Sequence, residues 1–210
     1  MKKYENLVKG SVKWFLPFCL FTFLPLLCAC SESDDDDFDS DEWKSLNDTY
    51  FEKAYQSHSA SSSTVFILPS WSQPASKTLS EIAHTDCILV DVLESGDGAT
   101  SPYYTDSVQV HYSGRLIPTT DYPQGFEFDR SWLTTFDAEV DMPAQFKTSA
   151  VVAGFSTALQ HMHRGDRWRV TVPYQLGYGS TVKSMIPAYS SLIFDIRLVD
   201  FWNKTKGDRE

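Results

Sequence analysis

Val108-Gln109-Val110-His111-Tyr112-Ser113-Gly114 decides the fold, because apolar Val108, Val110 and Tyr112 alternate with polar Gln109, His111 and Ser113. A period of two puts successive side chains on opposite faces, so this stretch predicts a half-buried β-strand. The same pattern returns twice further on. Trp168, Val170 and Val172 alternate with Arg167, Arg169 and Thr171, and Leu192, Phe194, Ile196 and Leu198 alternate with Ile193, Asp195, Arg197 and Val199. Cys87-Ile88-Leu89-Val90-Asp91-Val92-Leu93 reads as an earlier strand, and Ser95-Gly96-Asp97-Gly98 as the turn after it. Phe155, Ala158, Leu159 and Met162 fall at i, i+3, i+4 and i+7, one face of a short helix that should end at Arg164-Gly165. Antiparallel strands with one short helix before the last two predict an α+β domain, its helix buried against one sheet face.

Six blocks in this region, taken in order, carry a resemblance. They are Val108–Gly114; Phe126-Glu127-Phe128-Asp129-Arg130-Ser131; Val151-Val152-Ala153-Gly154-Phe155; Leu176-Gly177-Tyr178-Gly179; Ile186-Pro187; and Leu192-Ile193-Phe194-Asp195. Together they resemble the FKBP-type peptidyl-prolyl cis-trans isomerases, the bacterial ones above all, over roughly residues 87–201. The resemblance implies a bent antiparallel sheet wrapped around one short helix, and an enzyme that needs no cofactor and no metal. It implies that Tyr112, Phe128 and Phe194 are pocket walls, with Val151, Val152 and Ile186 as aliphatic lining. Phe155 would be the floor, where the family most often has tryptophan. The Val152 backbone N–H and the Tyr178 hydroxyl would donate to substrate carbonyls, and Asp129 would be a buried-edge carboxylate that polarises the site. Departures from the family lie at Ala144, where human-type members have a pocket aromatic, and at Ala188 and Tyr189. Phe146 falls on a core position, and the loop from Gly179 to Ile186 is one residue shorter than in human-type members. These changes put catalytic efficiency in question and make macrolide inhibitors weak ligands by expectation.

The chemistry suits such residues. Rotation about an Xaa-Pro bond crosses a barrier of about 18–20 kcal/mol because it breaks amide resonance, and it makes or cleaves no covalent bond. An apolar pocket that strips water from the imide favours the less dipolar twisted form, and rim donors hold the chain in that shape.

Composition places limits around this reading. With 42% apolar and 14% aromatic residues, the 210-residue chain can build a true core. Its net charge is −10, and −13 without residues 1–30, a balance that repels nucleic acid and anionic membrane. Residues 1–29 read as an export signal: lysines lie in the first thirteen positions, and Trp14–Ala29 is uncharged but short and interrupted by Pro17 and Pro25. Leu27-Cys28-Ala29-Cys30 resembles a bacterial lipobox, which makes Cys30 the lipidated N-terminus and the membrane anchor. Cys28 as the modified residue and an uncleaved anchor are the alternatives. Ser31–Glu42 holds eight acidic residues in twelve and predicts an extended tether. It resembles the sorting signal of lipoproteins that reach the surface of a Gram-negative outer membrane; a plain spacer is the rival. Cys87, left without a partner, reads as an inert core residue.

Trp43, Leu46, Tyr50, Phe51 and Ala54 form one apolar stripe over a helix at 41–56, with Ser40 as its N-cap. Val65–Leu68 is a short extended segment stopped by Pro69. The organisation expected is therefore a signal at 1–29, a lipidated acidic tether at 30–42 and a helical extension at 43–86. An isomerase domain at 87–203 and a polar tail at 204–210 follow. The partners expected are proline-containing polypeptides and a membrane, not nucleic acid. A monomer is the default, though nothing in the sequence sets the oligomeric state. Two rival readings remain: a non-catalytic chaperone or peptide-binding module using the same groove, and an accessory subunit whose 41–56 helix docks a partner. His161 and His163 lack a third ligand at metal spacing and suit the cation-favouring end of a helix.

Overall fold

The computed structural model describes residues 39–60 and 62–203. The signal segment, Cys30, the Asp34–Asp37 run and the polar tail lie outside the described residues. Seven antiparallel strands form one sheet: β1 (Val65–Pro69), β2 (Cys87–Glu94), β3 (Ser107–Leu116), β4 (Glu127–Arg130), β5 (Ala144–Lys147), β6 (Arg167–Val172) and β7 (Leu192–Trp202). Their order is β1-β2-β6-β7-β3-β4, with β5 also paired to β3. Two α-helices pack on it, α1 (Ser40–His58) and α2 (Ala153–Leu159). This is the α+β fold that the alternation predicts, with the antiparallel sheet and short helix that the family resemblance implies.

The inner sheet face and α2 make the main core. Val108, Val110, Val170, Ile196 and Leu198 are fully buried there, together with Ala158, Leu159 and Met162. Gly154 sets the depth of the helix, since a Cβ there would lie 2.3 Å from Val172 Cγ1. The helix stops at Leu159, well before the expected Arg164-Gly165. Met162 still reaches the core because a further turn follows, with its N–H bonded to the Ala158 carbonyl at 2.9 Å. Residues 95–98 form no tight turn. They run alongside the chain at 164–166, where the Gly96 N–H donates to Asp166 Oδ1 at 2.7 Å.

The first helix lies where its pattern places it, with three differences. Asp39, not Ser40, caps it: Oδ1 accepts from the N–H groups of Asp41 and Glu42 at 2.9 and 3.0 Å, and the two acids suit the positive end of the helix dipole. Leu46 is 42% exposed, and the buried line is Trp43, Asn47, Phe51, Tyr55 and His58. A polar residue holds that line because both ends of its amide are satisfied. Asn47 donates to the Trp43 carbonyl and accepts from the Ser191 N–H, each at 2.8 Å.

Trp43 joins the main core and donates through Nε1 to Ser190 Oγ at 3.0 Å. Phe51 and Tyr55 build a second small core with Ile67, Ile82, Cys87 and Leu89 on the outer sheet face. The stripe is thus covered by the sheet of its own chain. β1 pairs with β2 along the sheet edge, and Pro69, which lacks an N–H, sits where an edge strand tolerates it.

Candidate active site

Five elements each deliver one aromatic ring to the same end of the inner face: Tyr112 from β3, Phe128 from β4, Phe146 from β5, Phe155 from α2 and Phe194 from β7. The rings meet edge to face in an unbroken series. Phe146 lies 5.6 Å from Tyr112, Tyr112 5.9 Å from Phe155, Phe155 5.0 Å from Phe194, and Phe194 5.9 Å from Phe128. Such pairs add about 0.5–1.5 kcal/mol each beyond the area they bury, so the cluster is stiff. Phe155 is buried at its base and Phe194 beside it, while Tyr112, Phe128 and Phe146 are half-buried. Gly114 makes room for the Phe128 ring, whose Cζ would stand 2.5 Å from a Cβ at that position.

Val151 and Val152 lead into α2 and pack half-buried against the same core, and Ile186 is buried with it. The Val152 N–H finds no acceptor among the described residues. The Tyr178 hydroxyl likewise has no hydrogen-bond partner there, and burial, helped by the charge of Asp129, holds it protonated above the ordinary tyrosine range. Two donors are therefore free beside the rings.

Two site expectations need correction. Asp129 is exposed rather than at a buried edge. Its Oδ2 accepts a 2.6 Å hydrogen bond from the Tyr112 hydroxyl and its Oδ1 one of 2.9 Å from the Arg130 N–H. It anchors the Tyr112 ring instead of sitting desolvated in the site. Burial and this bond raise the Tyr112 hydroxyl pKa, so the proton stays on the tyrosine and is donated to Asp129. Phe146, assigned to the core by its sequence position, is a half-exposed member of the ring series. No local sequence signal marks it, because its side is set by the cross-strand pairing with Val108 in β3, which leaves it on the Tyr112 side.

Tyr189 lies apart from the rings. It holds a positive φ of 60° and packs against Tyr174 at 5.4 Å, with Lys44 of α1 over both rings. His161 binds the Thr157 carbonyl through Nδ1, and His163 faces Asp166 at 3.5 Å. Among the described residues no group of three His, Cys, Asp or Glu is placed to hold a metal.

A ring-lined apolar pocket with unpaired rim donors is a place to bind a small cyclic apolar group next to carbonyls. Residues 98–199 match the family model described as FKBP-type peptidyl-prolyl cis-trans isomerase. This domain is of the FKBP type. The chain is 40% identical over 113 residues to the macrophage infectivity potentiator of Trypanosoma cruzi, covering 53% of this chain and 52% of that protein. It is 35% identical over 112 residues to the FKBP-type 22 kDa peptidyl-prolyl cis-trans isomerase of Escherichia coli K12, covering 52% and 47%. Among solved structures, FkpA from Escherichia coli superposes with a TM-score of 0.55 at 25% identity, over 78% of this chain and 63% of that one. The chain spans about half the length of the curated relatives it matches. Within the FKBP-type domain the five rings, carried on β3, β4, β5, α2 and β7, all lie inside the matched stretch.

Proposed function

We propose that this protein is a peptidyl-prolyl cis-trans isomerase acting on exported or surface polypeptides from a lipid anchor at Cys30. The observation that carries the activity is the unbroken series of five rings with the Val152 N–H and the Tyr178 hydroxyl left free beside it. A proline ring seated over Phe155 loses water from its imide, which raises the planar, dipolar form relative to the twisted one. The two donors then hold the flanking carbonyls in the twisted geometry. Asp129 contributes by fixing Tyr112, and no side chain moves a proton.

The experiment is a protease-free isomerisation assay of the purified protein on several Xaa-Pro peptides. Acceleration is expected, and Tyr178→Phe should lower kcat/KM a few-fold to about tenfold, the worth of one hydrogen bond of about 0.5–1.5 kcal/mol. A folded protein that accelerates none of the peptides leaves the groove as a non-catalytic binding module. The packing of α1 on the sheet of its own chain speaks against its use as a partner-docking helix.

The anchor rests on the Leu27-Cys28-Ala29-Cys30 motif, and the extracytoplasmic setting on the export signal before it. The acidic run behind Cys30 supports delivery to the outer membrane and its surface. No helix among the described residues is long and apolar enough to cross a membrane. Cys30→Ser should abolish incorporation of labelled fatty acid, and normal labelling of that variant would sink the anchor.

A further inference from the structure

The outer face of the sheet, behind the ring pocket, holds a cleft of about 590 Å³. Tyr50 and His58 of α1 line one side, Pro118 and Pro123 of the loop after β3 the other, and Trp132 adds an aromatic wall. Its floor is a cross-strand row set by register: Asp91 of β2, Arg169 of β6, Asp195 of β7 and Ser113 of β3 stand side by side. The volume lies in the range of ligand pockets. An antiparallel sheet commonly leaves such a polar face open to water, but here it is partly roofed.

The groups in this row are unequally satisfied. Arg167 grips Asp195 at two points, Nε to Oδ1 at 2.8 Å and Nη2 to Oδ2 at 2.9 Å, and also reaches Glu94. Each Asp195 oxygen thereby accepts one hydrogen bond. Arg169 stands 3.7 Å from Oδ2, makes no hydrogen bond among the described residues, and keeps a half-exposed side chain in the cleft. His58 gives Nδ1 to the Ala54 carbonyl at 2.8 Å, while its buried Nε2 has no hydrogen bond and lies 3.4 Å from Asp91 Oδ1. The Tyr50 hydroxyl, held protonated by burial and by Asp91, has no hydrogen-bond partner among the described residues either. The Arg169 guanidinium and the Tyr50 hydroxyl are therefore donors without a hydrogen-bond acceptor among the described residues.

We propose that this cleft is a second binding site, and that it takes a carboxylate joined to an apolar or aromatic group. The planar guanidinium of Arg169 matches a carboxylate in two-point geometry. Asp91 and Asp195 flank it, so a single negative charge fits where a dianion is repelled. Trp132 and the two prolines offer the apolar wall for the attached group. A polypeptide's acidic residue next to an aromatic one and a free aromatic acid share this chemistry.

The test is calorimetry on the purified protein with four probes: acetyl-Ala-Asp-Phe-Ala-amide, its Asn counterpart, phenylacetate and inorganic phosphate. The acidic peptide should bind at least tenfold more tightly than the Asn peptide. Arg169→Gln should lose that preference while leaving Xaa-Pro isomerisation unchanged, and Arg169→Lys should keep part of it. Trp132→Ala should weaken both carboxylate probes. A peptide preferred tenfold over phenylacetate assigns the site to polypeptides, and equal binding assigns it to small acids. Equal affinity for the Asp and Asn peptides, phosphate binding as well as the carboxylates, or a folded Arg169→Gln that binds like wild type would overturn the proposal.

Discussion

Phe194 and Asp195 are neighbours on β7 and leave the strand on opposite sides. Phe194 enters the ring series of the inner face, and Asp195 the charged row of the outer one. The same split recurs at Tyr112 and Ser113 on β3 and at Val170 and Arg169 on β6. One face holds its shape by dispersion and edge-to-face rings, the other by ion pairs and hydrogen bonds. The inner arrangement loses stability when any member is trimmed, because close packing leaves no neighbour free to fill the gap. The outer row keeps water at hand, so its charges contribute little to stability and remain free to serve a ligand. Only at the β1–β2 end does the outer face turn dry, where Phe51 and Tyr55 of α1 cover Cys87 and Leu89.

The hardest test of this contrast is Phe155→Ala. Removing a buried ring that touches both Tyr112 and Phe194 should cost about 3–5 kcal/mol, read as a lower urea midpoint. Isomerisation per folded molecule should fall with it. A cost below about 1 kcal/mol would mean that the inner face is not close-packed.

The dry corner of the outer face has its own signature at high pH. Burial pushes the Cys87 thiol from about 9 to about 11. A raised value in the folded state means that the protonated thiol is favoured there. Its contribution is complete below the unfolded thiol's range and is lost as pH climbs from about 9 through about 11. Two units correspond to about 2–3 kcal/mol as an upper bound. Urea unfolding of wild type and Cys87→Ala should therefore converge as pH rises over that interval, with turnover unchanged at neutral pH. Parallel stability curves would show that the corner admits water.

The smallest effect belongs to the charged row. Asp195→Asn removes the two-point partner of Arg167, yet the guanidinium is more than a third exposed and still has Glu94. The expected loss is under about 1 kcal/mol, with no change in isomerisation. A loss above about 2 kcal/mol would give the outer face the same structural rank as the inner one.

The inner face was legible before any coordinates because its signal is local. Alternation in β3, β6 and β7 and the i, i+3, i+4, i+7 spacing of Phe155 to Met162 state which side of each element is dry. The family blocks added the residues that ring the pocket, and Tyr112, Phe128, Phe155 and Phe194 do meet there. Phe146 reads as core in the sequence, because whether a ring on a short strand reaches the core or the rim depends on which strand it pairs with. Asp129 was placed too deep for a related reason: a carboxylate beside a pocket aromatic can reach outward to a tyrosine hydroxyl, and one-dimensional spacing does not choose.

What the sequence determined alone was the class of fold, the dry face of each strand and the existence of an amphipathic first helix. Periodicity follows from backbone geometry and needs no partner. The tertiary structure decided what that helix covers. It placed a buried asparagine at position 47, because the Ser191 N–H lies there to be satisfied, and it turned Leu46 to water. It also assembled Asp91, Arg169, Asp195 and Ser113 into one row. These residues lie up to 104 positions apart in sequence, and only strand register, fixed by pairing across the whole sheet, brings their charges together.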